Sequence, residues 1–414
     1  MTNAFAVVFL AALLSATALR LWLAVRQVRH VRAHRDRVPA PFAGEIPLAA
    51  HQKAADYTVA KTTLGAAEAL ASAAALAALT IGGGIEALAR AWGGWFETGG
   101  IAHGLALVAS VFAILAGLDL PFAAYRVFAI EARFGFNRTT PALFAADLAR
   151  QAALAAALGL PLIALVLWFV AAAGERGWLW AWLAWAAFHV LVLAAWPTWI
   201  APLFNRFSPL EDPVLVERVK ALLARCGFRA GALYVMDGSR RSAHGNAYFT
   251  GFGATKRVVF FDTLLARLAP AEIEAVTAHE LGHYRLRHLW QRLGLLLALS
   301  LALFWLLGRL IGEQWFYAGL GVETRTGATA LVLFFLVLPV FAFFLQPLAA
   351  MLSRRHEFEA DAFARAHAGA AELERALVKL YRDNAATLTP DPLYSAFYDS
   401  HPPAPVRIAR LRTT

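Results

Sequence analysis

The sequence is short of two things that soluble proteins use freely, cysteine and charge. Its 414 residues include one cysteine, Cys226, which excludes an intramolecular disulfide framework and a cysteine-based zinc site. We interpret Cys226 as a small apolar residue on a helix. Charged residues make up 16% of the chain, against about 25% in an average soluble protein. Because a single cysteine cannot form a cysteine-based site, any metal site must be built from histidine and carboxylate side chains.

Lysine is also scarce. The net charge of +10 rests on arginine, because only 5 of the 38 basic residues are lysines. No stretch interleaves basic and aromatic residues in the manner of a nucleic-acid-binding segment, so we expect no nucleic-acid partner. The excess of arginine and the alanine-rich segments are typical of a GC-rich bacterial genome. The positive charge points instead to membrane topology.

Apolar residues, in contrast, make up 60% of the chain, and the mean hydropathy is +0.56. A soluble core of this length cannot bury so much apolar side chain. Seven segments have the roughly 20 mostly apolar residues that a membrane helix needs. They are residues 4–25, 64–89, 101–124, 152–173, 178–200, 293–312 and 328–350. The sequence therefore predicts a multi-pass membrane protein of predominantly helical fold, with the lipid bilayer as a partner.

Arginine is concentrated in alternate connections between these segments. The loops after the first, third and fifth spans and the C-terminal tail are rich in arginine, whereas residues 90–100, 174–177 and 313–327 are poor in basic residues. The positive-inside rule then places the N-terminus outside and the C-terminus in the cytoplasm. An odd number of spans likewise places the two termini on opposite sides of the membrane. We expect a bacterial inner membrane, or the endoplasmic reticulum membrane if the source is eukaryotic.

Four regions follow from this pattern. Residues 1–200 contain five membrane helices with basic cytoplasmic loops, and residues 293–350 contain helices six and seven. The two remaining regions, 201–292 and 351–414, are expected in the cytoplasm. A short strand is predicted at 257–261, where apolar and aromatic residues run together.

The histidine pair His279 and His283 lies on a predicted helix that begins after Pro270. Residues four apart share one helical face, so both imidazoles can reach one metal ion at about 2 Å. Glu280 lies about 100° round the helix, where it can border an open coordination position without ligating. This is the H-E-x-x-H pattern of metallopeptidases. The alternative is a pair of surface histidines with no metal.

A catalytic zinc ion needs a third protein ligand. The chain lacks the His-x-x-Gly-x-x-His continuation after His283 that metzincins use. Glu357 and Asp361 are four apart on a second predicted helix, which suits a ligand and a carboxylate supporting a ligand histidine. A solvated acidic face paired with the two preceding arginines explains the same spacing equally well. His356 and Glu359 point elsewhere on this helix and are interpreted as having no role.

Several motifs occur in an order that resembles one family, the type I CaaX prenyl proteases. They are RFGFNRT at 133–139, PTWIAPLFNRF at 197–207, SAHGNAYF at 242–249, HELGH at 279–283, EFEADA at 357–362 and DSHPP at 399–403. The resemblance implies seven membrane helices enclosing a water-filled chamber. It also implies a gluzincin-like metalloprotease domain on the cytoplasmic side, with a small β element and the C-terminal site residues.

The resemblance also implies roles for individual residues. One zinc ion per chain would be bound by His279, His283 and Glu357, with Glu280 as the general base and Asp361 supporting the metal site.

Outside the metal centre, Asn246 matches a position that holds the substrate backbone, and His401 matches one that stabilises the oxyanion. The family's DSHPP block normally continues to a Glu-Arg pair. Here only Arg407 remains, which puts any ion pair made by that glutamate in doubt.

Three functions remain open at this stage. The first is removal of the C-terminal tripeptide from prenylated CaaX proteins. The second is quality control of membrane proteins by an endopeptidase of the HtpX type, acting on peptides or proteins without a prenyl group. The third is a zinc-binding membrane scaffold, against which the intact Glu280 argues, because a scaffold needs no base.

Overall fold

The membrane-spanning part of the fold consists of seven long apolar helical segments. The structure is a computed structural model that describes residues 3–228, 232–251 and 257–413. The seven segments are Ala4–Ala33, Leu48–Leu79, Ile101–Glu131, Pro141–Ala172, Gly174–Leu203, His288–Leu310 and Gly327–Ala368. In the first six, only 6–28% of the most apolar window is buried inside the protein. Lipid must cover the remainder, so the chain is an integral membrane protein, and the predicted seven spans are confirmed.

The described residues contain sixteen α-helices and four strands. The helices are α1 (Ala4–Ala33), α2 (Leu48–Leu79), α3 (Gly84–Gly93), α4 (Ile101–Tyr125), α5 (Pro141–Ala172), α6 (Gly177–Ala195), α7 (Pro213–Arg225), α8 (Asp262–Leu265), α9 (Pro270–Arg285), α10 (His288–Leu310), α11 (Gln314–Ala318), α12 (Gly327–Ala342), α13 (Gln346–Ala368), α14 (Ala370–Asp383), α15 (Pro392–Tyr398) and α16 (Ala404–Thr413). The strands are β1 (Phe207–Pro209), β2 (Ala232–Met236), β3 (Ala247–Thr250) and β4 (Arg257–Phe261). Cys226 is buried at the C-terminal cap of α7.

The second span differs from its predicted bounds of 64–89. Its helix, α2, begins at Leu48 and ends at Leu79, because the chain turns at Gly83 with a φ of 77°. A side chain at Gly82 would meet the carbonyl oxygen of Ala78 at 2.6 Å, so only glycine fits this turn. The polar residues before 64 belong to the same helix, which extends beyond its apolar part. Residues after the turn form the separate helix α3.

The small sheet has the strand order β1-β2-β4-β3. β2 and β4 are parallel, whereas β1 and β3 are antiparallel to their neighbours. The predicted strand at 257–261 is β4, whose residues Val258 to Phe260 are buried. β3 pairs on one side only and packs along α9. Its unpaired edge therefore runs beside the helix that carries the histidine pair.

The two helices that carry the metal-site candidates are joined almost directly to membrane spans. Two residues separate α9 from α10, and a single turn, Phe343–Leu345, separates α12 from α13. α9 packs closely on α13, where a Cβ at Gly282 would lie 3.1 Å from both Ala360 Cα and Phe363 Cβ. Glycine at this position therefore allows the two helices to approach.

Two adjoining cavities are lined by the membrane helices, and one of them extends to the metal-site region. The first has a volume of 770 Å³ and includes His401 in its wall, and the second has a volume of 560 Å³. Arg20, Gly65 and Ala69 line both. They form the chamber implied by the family resemblance.

Candidate metal centre

α9 is a buried helix whose N-terminus is well capped. Pro270 occupies the first turn, where its missing N–H costs nothing. The Glu272 carboxylate accepts a hydrogen bond from the Ala269 N–H at 2.7 Å and pairs with Lys379 at 2.7 Å. Ten residues of α9 are buried. A helix fixed in this way holds its polar side chains in defined positions within the protein.

The side chains of His279, His283 and Glu357 converge on one point. The two histidine Nε2 atoms are 3.2 Å apart, and Glu357 oxygens lie 3.5 Å from His279 Nε2 and 3.2 Å from His283 Nε2. Ligands about 2.0–2.1 Å from a tetrahedral zinc ion are about 3.3 Å from one another. The three donors therefore have the spacing of three corners of a zinc site.

One oxygen of Glu357 supports this interpretation. Oε2 is buried and accepts no hydrogen bond from any described residue. It lies 2.7 Å from His401 Nδ1, 3.5 Å from His279 Nε2 and 3.7 Å from Arg407 Nη1. An unsatisfied buried carboxylate oxygen is costly, and a cation would satisfy it. The residues present thus fit a metal ion.

Asp361 connects His279 to Arg407. Its carboxylate accepts two hydrogen bonds of 2.6 Å from Arg407 and lies 2.9 Å from His279 Nδ1. The Nδ1 proton therefore points to Asp361, which leaves Nε2 free for a metal. Burial lowers the pKa of His279, but hydrogen bonds to Asp361 and Glu357 more than offset it and raise the pKa to about 9.

Glu280 lies close enough to His279, Glu357 and His401 to interact with all three. Burial and the neighbouring Glu357 carboxylate raise its pKa, against the opposing effect of His279. A carboxylate with a raised pKa is a stronger proton acceptor, as a general base requires.

Asn246 and His401 approach the site from two further elements. Asn246 immediately precedes edge strand β3, is exposed, and accepts a hydrogen bond from the Ala247 N–H at 2.9 Å. His401 is also exposed, and it lines the larger cavity. The structure thus places both candidates at the border between the metal centre and open space.

A hydrogen-bond chain behind His283 was not predicted from the sequence. His283 Nδ1 is 3.0 Å from His288 Nδ1, and His288 Nε2 is 3.0 Å from a Glu359 oxygen. Glu359, for which the sequence predicted no role, is therefore linked through His288 to a candidate ligand. The ring of His356 stacks on that of His288, with the centroids 4.0 Å apart. His288, His356 and Glu359 could also hold a cation themselves. The only signal in the sequence was a third histidine five residues after the HELGH motif.

These features define a class, the integral-membrane metallopeptidases. Residues 27–206 match the family model described as CAAX prenyl protease N-terminal, five membrane helices, and residues 209–414 match peptidase family M48. The chain belongs to this family of CAAX prenyl proteases, so it is a peptidase with a metal cofactor. The resemblance seen in the sequence is confirmed, and the matches favour this group over HtpX-type proteases.

Relatives match over most of the chain. The CAAX prenyl protease 1 homolog of Oryza sativa subsp. japonica is 37% identical over 316 residues, which cover 75% of this chain and 73% of the relative. The Mus musculus homolog is 30% identical, with 98% and 95% covered. The crystal structure of S. mikatae Ste24p superposes with a TM-score of 0.90 at 27% identity and covers 99% of both chains.

Proposed function

We propose that this protein is a zinc endopeptidase that removes the C-terminal tripeptide from prenylated CaaX proteins. The substrate is proposed from the CAAX prenyl protease names of its relatives. His279, His283 and Glu357 would bind one zinc ion. The count of one is part of the proposal: of the two described clusters, the one beside Glu280 is taken as the zinc site.

A zinc ion held by these residues would polarise the scissile carbonyl and acidify a water molecule. Glu280 accepts the proton of the attacking water and passes it to the leaving amine. Asp361 holds the imidazole of His279 with Nε2 directed at the metal, and Arg407 holds Asp361.

His401 donates a hydrogen bond to the developing oxyanion. Removing one such donor typically lowers the rate by about 10²–10³-fold. Asn246 holds the backbone of the substrate at the start of β3, whose unpaired edge can add an extended peptide as a further strand. Both roles agree with the exposure of these side chains beside the metal centre.

The distribution of arginine supports a cytoplasmic position for the site, with the N-terminus outside. The regions 201–292 and 351–414 would form the protease part, and 1–200 and 293–350 the membrane part. A bacterial inner membrane is the proposed location.

The observation that carries the proposal is the 3.2–3.5 Å spacing of three metal donors beside Glu280. The test is cleavage of a farnesylated CaaX peptide in detergent by the wild type and by Glu280→Gln. We expect the wild type to release the tripeptide, and Glu280→Gln to retain one zinc ion per chain without cleaving. Mass spectrometry of the products identifies the bond.

Two outcomes would contradict the assignment. Zinc loss in Glu280→Gln would make Glu280 a ligand rather than the base. If the wild type with bound zinc left the peptide intact but degraded an unprenylated membrane protein, the quality-control function would replace CaaX processing.

A further inference from the structure

The wall of the larger cavity carries two cations, one on each of the first two membrane helices. Arg20 lies about 24 Å along α1 from its first residue, and Lys61 lies about 20 Å along α2 from its first residue. Arg20 lies within the predicted first span, and Lys61 lies on α2 three residues before its apolar part begins at residue 64. Both line the 770 Å³ cavity, as His401 does. A charged residue inside a membrane span is costly and is usually paired, so the unpaired Arg20 indicates a function.

Neither cation has a carboxylate within ion-pair distance among the described residues. Arg20 instead lies over the ring of Phe343, with its Cζ 4.2 Å from the centroid, and Lys61 Nζ lies 4.7 Å from the Tyr57 centroid. An aromatic face stabilises a cation without neutralising it. The N–H donors of both side chains therefore remain available to an anion.

Four of the described acids lie near this pair, and none forms an ion pair with Arg20 or Lys61. Two of them, Glu68 and Asp119, line the second cavity with Arg20, and Glu68 pairs with Arg126. Glu131, which interacts with Lys61 at longer range, already accepts a hydrogen bond from Tyr57 at 2.5 Å and lies 3.4 Å from His244. Asp399 is the one acid in the described wall of the larger cavity, and it lies two residues before His401. The positive charges of Arg20 and Lys61 are therefore not neutralised by an ion pair with any of these acids.

We propose that Arg20 and Lys61 bind the free α-carboxylate at the C-terminus of the substrate. This proposal rests on the proposed function, because a tripeptide released from a C-terminus ends in that carboxylate. Arginine and lysine both form strong charge-assisted hydrogen bonds with carboxylates.

The dimensions agree with a short C-terminal segment. Three extended residues span about 10 Å, and a sphere of 770 Å³ is about 11 Å across. Arg20, Lys61 and His401 line this one cavity, so a carboxylate held by the two cations and a bond about three residues upstream beside His401 fit within it. The site would measure the distance from the C-terminus and so select the bond that is cleaved.

The test compares two farnesylated CaaX peptides that differ only at the C-terminus, one a free acid and the other an amide. We expect kcat/KM of the wild type to be about 10- to 100-fold higher for the acid, the range for hydrogen bonds to a charged group. Arg20→Gln and Lys61→Gln should each reduce this ratio, and the double variant should bring it close to one. All should leave the rate on the amide within about twofold.

Two further variants separate binding from folding and overall charge. Arg20→Lys retains the cation and should keep most of the preference for the acid. Arg176→Gln removes one positive charge from an exposed loop outside the described cavity walls and should change neither rate. The Kd values of the acid and the amide peptides for zinc-loaded Glu280→Gln give the same comparison for binding alone, because this variant does not cleave.

The outcomes distinguish this proposal from the proposed function. Equal cleavage and equal binding of the acid and the amide by the wild type would overturn the carboxylate site and leave CaaX cleavage intact. Equal slowing of both peptides by Arg20→Gln would assign the residue a structural role and also overturn it. Failure to cleave either peptide would overturn the proposed function, and the carboxylate site with it.

Discussion

Replacing Asp361 with asparagine tests whether this carboxylate positions a metal ligand. The substitution keeps the size of the side chain but removes its charge. In the structure the carboxylate accepts two 2.6 Å hydrogen bonds from Arg407 and lies 2.9 Å from His279 Nδ1. Asparagine offers one oxygen for these partners, so either His279 loses its acceptor or Arg407 loses part of its pair.

Two magnitudes follow. Breaking a buried ion pair by removing one partner costs about 3–5 kcal/mol, and asparagine retains one acceptor, so we expect a loss of about 3 kcal/mol in unfolding free energy. Loss of a carboxylate behind a metal-binding histidine typically lowers metal affinity by 10- to 100-fold, or about 1.4–2.7 kcal/mol. The loss of unfolding free energy can be measured separately from the loss of zinc affinity, because it persists in the metal-free protein.

The assay is competition for zinc against a chelator of known affinity, with thermal unfolding of the metal-free protein in parallel. Asp56→Asn is the matched control, because Asp56 pairs with Arg35 through two 2.8 Å hydrogen bonds but is partly exposed and belongs to another element. We expect the control to cost less than about 1 kcal/mol and to leave zinc affinity unchanged. Unchanged zinc affinity in Asp361→Asn would refute the positioning role, whatever happened to stability.

Three further results are expected. His288→Ala should lower zinc affinity by about 10- to 100-fold through loss of the chain to Glu359, and zinc affinity equal to that of the wild type would show that this chain does not orient the ligand. Removing the zinc with a chelator should lower the melting temperature, and readdition should restore it; at 1,000 times Kd the difference is about 4 kcal/mol, and no shift would mean that the described donors do not bind the ion. Burial would raise the pKa of Asp391, but hydrogen bonds from Arg26 and from the Tyr394 N–H lower it. Its contribution to stability is therefore complete above the unfolded pKa of about 3.9 and declines as the pH falls below that value. Asp391→Asn should accordingly destabilise the protein more at pH 7 than at pH 3, by thermal unfolding, and an equal loss at both would exclude the charge as the cause.

Local spacing was enough to identify each pair of candidate residues. Residues four apart on a helix share a face whatever surrounds them, so the pairs at His279 and Glu357 were visible in the sequence. The number of spans was equally accessible, because lipid demands a long apolar run. The sequence could not decide whether Glu357 is a metal ligand or part of a solvated acidic face, because that depends on how closely α13 packs on α9.

The features that the sequence did not reveal depend on single backbone conformations. Arg287 adopts a φ of 60°, which is uncommon for a residue other than glycine, and it ends α9 and starts α10. This turn brings His288 back against His283, five positions earlier. The early end of the second span arises in the same way, from the positive φ of Gly83. No hydrophobic pattern reports either turn.

The position of the metal centre follows from these joints. α9 leads into the sixth span across two residues, and the seventh span leads into α13 across one turn. The hydrogen bonds from His288 to His283 and to Glu359 cross the first joint and tie it to α13. A metal ion bound by both helices would therefore hold together the same two elements that bring spans six and seven to the site. Cleavage of a substrate segment held in the chamber would then need no separate docking domain, because the helices that carry the metal ligands are extensions of membrane-spanning helices.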